Sequence, residues 1–232
     1  MDAVLLDMDG VLVDVSGSYR RAIAETYEHF AGTPLAAGAT QAKKDQGGFN
    51  NDWVLTHSLL TDAGIGTPYP EVVDEFERRY RGDDYSGLIR EETPAITTET
   101  LERLASGAKL ALVTGRVEAD AHWTLQHFGW AHLIPLVIGM ETQGDRGKPD
   151  PFAVTLALER LGVAPEAAVM AGDTVDDIRA ARAAGVRAIG VVPPGHETRA
   201  HSSVLLSAGA EVAVSRADDL PLVISVMDGD HE

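Results

Sequence analysis

From residue 98 onward the chain alternates short apolar runs with helical stretches, and no other feature narrows its fold as far. Lys109 to Val113 (KLALV), Leu133 to Ile138, Ala167 to Ala171 and Arg187 to Val192 read as strands. Runs this short and this continuously apolar suit strands covered on both faces. Between them, residues 98–106, 117–128, 151–161, 175–184 and 197–207 read as helices, several of them closed by glycine. A short strand is expected at 211–214 and a last helix after Asp218. Strands that alternate with helices imply a parallel sheet with helices on its faces. The fold class is therefore α/β, a doubly wound parallel sheet.

The start of the chain supplies one more strand. Ala3-Val4-Leu5-Leu6 is an apolar run followed by Asp7-Met8-Asp9-Gly10, with a third acid at Asp14. Alternation along an extended chain puts Asp7 and Asp9 on the same side. Two acids at the mouth of a buried strand are costly unless something pairs with them. A divalent cation is one such partner; a solvated strand-to-loop corner is the other explanation.

Residues 15–85 show no strand pattern. Ser16 or Ser18 is placed to cap a helix carrying Tyr19, Ile23, Tyr27 and Phe30; Gly32 and Pro34 stop it. A second helix is expected within 35–46, a third after Asn51 or Asp52, and a fourth opened by Pro70. The expected organisation is an α/β core formed by 1–14 and 86–232, with a small all-α domain, 15–85, inserted after the first strand.

Composition excludes several classes. Among 232 residues there is no cysteine, so disulfides, thiolate metal sites and cysteine nucleophiles are out. The net charge of −17 disfavours nucleic acid and anionic membranes as partners. No apolar run reaches the ~18 residues of a membrane helix, and no basic-then-apolar leader is seen, which favours a cytoplasmic location. Only four of the 19 basic residues are lysines: Lys43, Lys44, Lys109 and Lys148. Acid-rich, lysine-poor surfaces suit a high-salt, halophilic cytoplasm, where salt screens the self-repulsion.

In parallel sheets of this kind ligands bind beyond the carboxyl ends of the strands. Four polar clusters fall at such ends or in adjacent loops: Asp7-Met8-Asp9, Thr114-Gly115-Arg116, Gly147-Lys148-Pro149-Asp150-Pro151 and Gly172-Asp173-Thr174-Val175-Asp176-Asp177. Each has a plain structural explanation too. Thr114, Asp173 or Thr174 is able to cap a helix, and Lys148 is able to sit solvated in a loop. All four at one edge of one sheet are harder to explain that way.

Together, DxDGxxxD at Asp7–Asp14, the threonine-glycine pair at Thr114, K-P-x-P at Lys148 and G-D-T-x-x-D at Asp173–Asp177 resemble the four motifs of the haloacid dehalogenase superfamily, in order. The helical insert is like that family's C1 cap. The resemblance implies a Mg²⁺-dependent phosphomonoester hydrolase. Asp7 would be the nucleophile that forms an aspartyl-phosphate, and Asp9 the general acid/base. Thr114 and Gly115 would bind the phosphoryl group, and Lys148 would neutralise charge on it. Asp7 and Asp173 would hold Mg²⁺ through side-chain oxygens and Asp9 through its backbone carbonyl, with Asp177 binding a metal water or orienting Lys148. Asp176, by helical spacing, is expected at the surface.

The acid at Asp9 argues against a dehalogenase, which lacks it because halide needs no proton. The expected substrate is a small phosphorylated metabolite such as phosphoglycolate. The stretch Gly47-Gly48-Phe49-Asn50-Asn51-Asp52-Trp53 also resembles a subgroup linked to histidine biosynthesis, which adds histidinol phosphate. Lys44, Asn50, Asn51 and Arg20 are the insert's candidates for reading the leaving group; Trp53 and His57 read as packing residues. The alternatives are a phosphotransferase such as a sugar phosphomutase and a non-catalytic phosphometabolite-binding protein. The assembly is expected to be a monomer or homodimer.

Overall fold

The computed structural model describes residues 1–49 and 51–229. Strand β1 (Ala3–Leu6) leads into a loop and a two-residue strand, β2 (Val13–Asp14). Four helices follow: α1 (Tyr19–Ala31), α2 (Ala39–Lys44), α3 (Asp52–Asp62) and α4 (Tyr69–Tyr80). Strand β3 (Thr93–Pro94) pairs with β2. The alternating part then runs α5 (Thr98–Gly107), β4 (Lys109–Val113), α6 (Glu118–His127), β5 (Leu136–Ile138), α7 (Met140–Gln143), α8 (Phe152–Leu161), β6 (Ala168–Gly172), α9 (Val175–Ala183), β7 (Arg187–Val191), α10 (Thr198–Ala208), β8 (Val212–Val214) and α11 (Leu220–Gly229). No helix among the described residues is long and apolar enough to cross a membrane.

The chain divides into two compact units, 1–14 with 94–232 and 15–93. The first is built on a six-stranded sheet in the order β5-β4-β1-β6-β7-β8, with every ladder parallel. This is the α/β class that the alternation predicts. Strand β1 is central, and every one of its residues is buried. That explains why its sequence is continuously apolar rather than alternating. Ala3, Leu5, Ala111, Val113, Ala168 and Met170 share one face and pack with Ala153, Val154, Ala157 and Leu158 of α8 and Ile178, Ala180 and Ala181 of α9. The many alanines there let the helix backbones come close to the sheet.

Order reverses at β1: the chain moves outward through β4 and β5 on one side, and through β6, β7 and β8 on the other. The crevice for a ligand in such a sheet lies at this reversal, beyond the strand ends. Leu6 is in register with Leu112 and Ala171. Asp7, one residue on, therefore leaves the sheet beside Val113–Thr114 and Gly172–Asp173.

Two elements depart from expectation. Strand β5 begins at Leu136 instead of Leu133, because the amides of Leu133 and Ile134 turn back onto the Trp130 carbonyl. Helix α7, too short to show a period, was not anticipated.

In the helical unit, α1, α3 and α4 pack on one another through Ile23, Leu55, Leu60, Val72 and Phe76. Tyr19 stacks on Tyr80 with ring centroids 3.9 Å apart. This unit ends at 93, not 85. Ile89 and Glu92 are buried, and Glu92 accepts hydrogen bonds from Ser18 Oγ (3.0 Å) and Tyr80 Oη (3.2 Å). Ser18 does precede α1, but its hydroxyl is committed to Glu92 and makes no cap bond. Asn51 caps α3 by accepting from the Trp53 and Val54 amides.

Candidate active site

Helix α9 starts directly after β6, and its first turn fixes two of the acids. Thr174 is its N-cap: Thr174 Oγ1 accepts from the Asp177 amide, while Asp177 Oδ2 accepts from the Thr174 amide and hydroxyl. This reciprocal box aims Asp177 Oδ1 at Lys148. Gly172 makes room for it, since a β-carbon there would collide with the Asp177 side chain. Gly10, with φ at 76°, gives a similar clearance to Asp173 Oδ2.

Lys148 Nζ donates to Asp7 Oδ1 (2.8 Å), Asp177 Oδ1 (2.5 Å) and the Val113 carbonyl (3.0 Å). All three charged groups are buried. Burial alone would push the Lys148 ammonium down, but the charges of Asp177 and then Asp7 outweigh it and hold it above its ordinary value. Burial is also the largest influence on Asp7. It lifts that carboxyl to about 7 against the pull of Lys148, with Asp177 and Asp9 adding to the rise.

Asp7, Asp173 and Asp177 each offer an oxygen within 4.8 Å of the others. Three carboxyl groups share one ammonium, so negative charge exceeds positive whether or not Asp7 is ionised. A hard divalent cation suits an all-oxygen donor set of this charge, so the residues fit a metal. Both carboxylate oxygens of Asp177 are engaged, by Lys148 and by Thr174. Nε2 of His201, on α10, donates to the Asp173 carbonyl (2.7 Å) and steadies that loop.

Thr114 ends β4 and is buried, but it does not cap the next helix; Val117 occupies that position. Its Oγ1 accepts from the Arg116 amide (3.2 Å), which leaves the hydroxyl proton to be donated elsewhere. Its carbonyl accepts from Gln143 Nε2, which also reaches the Ile138 carbonyl. Gly115 follows in the same loop.

Asp9 stands apart from the carboxylate cluster. Its Oδ1 accepts from Nε of Arg116 (2.6 Å) and lies 2.5 Å from Nη2 as an ion pair, and Arg116 Nη1 donates to Thr124 Oγ1 (3.0 Å).

Of the residues expected at the site, the fold brings Asp7, Lys148, Asp173 and Asp177 together, with Thr114 following the neighbouring strand; the sequence assigned no role to Arg116, Gln143 or His201. Arg116 stands directly after Thr114-Gly115 at a strand end, but that placement alone does not say where its guanidinium points. Asp176, expected at the surface, is instead buried, because α9 packs against β6, β7 and α10. In the helical unit Lys44 pairs with Asp52 (2.9 Å), Lys43 pairs with Asp62, and Asn51 is the helix cap. Trp53 Nε1 donates to Glu77, and His57 is bonded to the Thr67 carbonyl. Arg20 lies half-buried on α1. Asn50 lies outside the described residues.

The family of haloacid dehalogenase-like hydrolases matches residues 1–185. The chain belongs to that family. Over 241 residues it is 30% identical to a phosphorylated carbohydrates phosphatase of Thermotoga maritima, covering 98% of this chain and 100% of that one. Over 203 residues it is 39% identical to an imidazoleglycerol-phosphate dehydratase of Phytophthora nicotianae, covering 84% of this chain but only 44% of that protein. Among solved structures, a haloacid dehalogenase-like protein of unknown function from Agrobacterium tumefaciens superposes with a TM-score of 0.77 at 25% identity, over 98% of this chain and 99% of the other. Within the haloacid dehalogenase-like hydrolases, the chain is an enzyme of the phosphatase kind.

Proposed function

We propose that the chain is a Mg²⁺-dependent phosphomonoesterase working through a phosphorylated Asp7. The observation that carries this reading is the buried Asp7–Lys148–Asp177 arrangement with Asp173 beside it. Mg²⁺ would be held by Asp7, Asp173 and the Asp9 backbone carbonyl, with Asp177 at its margin. When bound, it supplies the positive charge that lets a carboxylate approach an anionic phosphoryl group.

An Asp7 oxygen attacks phosphorus as the bond to the leaving oxygen breaks, and that oxygen takes a proton from Asp9. Water then attacks phosphorus, gives a proton to Asp9, and the bond to Asp7 breaks. Inorganic phosphate leaves, with both aspartates restored. Thr114 donates its hydroxyl to a phosphoryl oxygen, with the Gly115 amide as a second donor. Lys148 contributes charge.

The first substrates to try are phosphoglycolate and histidinol phosphate. The second is favoured by the resemblance around Phe49–Trp53 and by the relative named for an imidazole-bearing phosphate. Selection of the leaving group by the helical unit, through Lys44, Asn50, Asn51 or Arg20, belongs to this proposal. A panel of phosphomonoesters, with Mg²⁺ or with chelator, tests the whole. We expect release of phosphate from at least one ester with Mg²⁺, loss with chelator, and loss in Asp7→Asn. No hydrolysis of any ester defeats the phosphatase reading, and full activity in Asp7→Asn defeats the mechanism. Bisphosphate-dependent isomerisation with slow hydrolysis would indicate a phosphomutase.

A further inference from the structure

We propose that Arg116 is a positioning residue for proton transfer: it clamps Asp9 through Oδ1 so that Oδ2 handles the proton. The inference rests on the role given to Asp9 above. Its starting point is geometric. Arginine and carboxylate usually meet as a fork, one nitrogen to each oxygen. Here Nε donates to Oδ1, and Nη2 lies against that same oxygen as an ion pair instead of reaching Oδ2. Oδ2 accepts no hydrogen bond from any described residue.

The clamp is rigid for identifiable reasons. The Arg116 side chain is 1% exposed, against 23% for Asp9, so the guanidinium is the fixed partner and the carboxylate is the one facing solvent. Thr124 Oγ1 holds Nη1 from helix α6. The Arg116 backbone is fastened as well: its amide donates to Thr114 Oγ1 (3.2 Å), and its carbonyl accepts from the Met140 amide (2.8 Å). One residue thus connects the hydroxyl offered to the phosphoryl group with the carboxyl offered to the leaving group. Burying a guanidinium is costly without a close anion, and Asp9 is such an anion at the site's edge.

The consequence is selective. An alkyl leaving oxygen needs the proton that Asp9 Oδ2 delivers as the phosphorus–oxygen bond breaks; a p-nitrophenolate leaves without one. Hydrolysis of phospho-Asp7 needs Asp9 again, as acceptor of the water proton, whichever ester supplied the phosphoryl group. Losing the clamp should therefore slow alkyl-ester cleavage and the hydrolysis step, but not phosphoryl transfer from p-nitrophenyl phosphate.

The test compares Arg116→Gln, Arg116→Lys and Asp9→Asn in rapid-mixing experiments with p-nitrophenyl phosphate and with the best alkyl ester from the panel. For Arg116→Gln we expect kcat on the alkyl ester to fall on the order of 100-fold with KM changed less than about threefold. With p-nitrophenyl phosphate we expect a burst of about one p-nitrophenolate per enzyme at near wild-type rate, then slow turnover. Arg116→Lys should recover part of the loss. Equal slowing of the burst and of alkyl-ester turnover, or unchanged turnover on both esters, overturns the proposal. Should Arg116→Gln fail to fold by circular dichroism, Thr124→Ala loosens the same clamp and should show the same burst pattern more weakly; no burst there also overturns it. Asp9→Asn separates the two layers. If it lacks the burst pattern, the role of Asp9 is wrong; if it shows the pattern and Arg116→Gln does not, only the clamp is wrong.

Discussion

Lys148 has three N–H donors, and all three are engaged, on Asp7, Asp177 and the Val113 carbonyl. Its main work is to supply the charge that lets two carboxylates share a dry site. Removing one partner from such a buried set leaves uncompensated charge, at roughly 3–5 kcal/mol. Lys148→Met should therefore lower the thermal midpoint clearly in chelator as well as abolish turnover, and an unchanged midpoint by calorimetry would contradict this account. At this scale the sequence was legible where residue type and local pattern carry the signal: Asp7 and Asp173 stand out after apolar runs, and Lys148 in its Lys-Pro-x-Pro loop. Arg116 and Gln143 were not, because their roles depend on which atom they reach. Nothing in a guanidinium's sequence context says that it points inward at Asp9 rather than outward into solvent.

Among the elements, helix α5 shows how a cap is secured from far along the chain. Thr97 caps it, and Asp218 Oδ1 accepts from the Thr97 amide and hydroxyl (both 2.9 Å) and from Thr100 Oγ1 (2.7 Å). Burial would raise the Asp218 carboxyl, but these bonds and Arg216 prevail and hold it at about 2. Because the unfolded group titrates near 3.9, its stabilising effect is complete above about pH 4 and is lost as pH falls from there through 2. Asp218→Asn should cost about 1–2 kcal/mol at pH 7 and flatten the loss of stability between pH 4 and 2. Urea midpoints measured across that range check both, and an acid profile identical to wild type would refute the assignment. Strands β1, β4, β6 and β7 were legible because burial on both faces demands unbroken apolar runs. Helix α7 and the start of β5 were not, since four residues show no period and the Trp130 turn that delays β5 depends on contacts beyond local pattern.

For the molecule as a whole, charge dominates. The net charge of −17 includes a carboxylate cluster that lacks a full complement of cations. A ligand bound only by the folded state stabilises it by about 2.7 kcal/mol at 100 times its Kd. Mg²⁺ should accordingly raise the thermal midpoint of the wild type, and Asp173→Ala should lose that increment. An equal shift in both would place the cation elsewhere. Self-repulsion among the remaining acids is screened within ~10 Å at 0.1 M salt and ~3 Å at 1 M. On the halophilic proposal the midpoint should continue to climb towards molar KCl, and a flat response above 0.1 M would argue against it. The absence of a strand signal marks the insert, read as 15–85, and the compact helical unit spans 15–93; Ile89 and Glu92 look, in sequence, like part of a polar connector, yet both are buried.

The central place of β1 also has a consequence for how the protein is made. Ala3 pairs with Lys109 on one side and Ala168 on the other, partners 106 and 165 positions later (109 − 3 and 168 − 3). At about 5–20 residues per second a ribosome takes roughly 10–30 s to deliver the second of them. Until β4 is made the first apolar strand of the nascent chain has neither neighbour, and until β6 is made it has one at most, while the helical insert, a compact unit of residues 15–93, is free to form. The segment that leads into Asp7 is thus the one most dependent on shielding during synthesis.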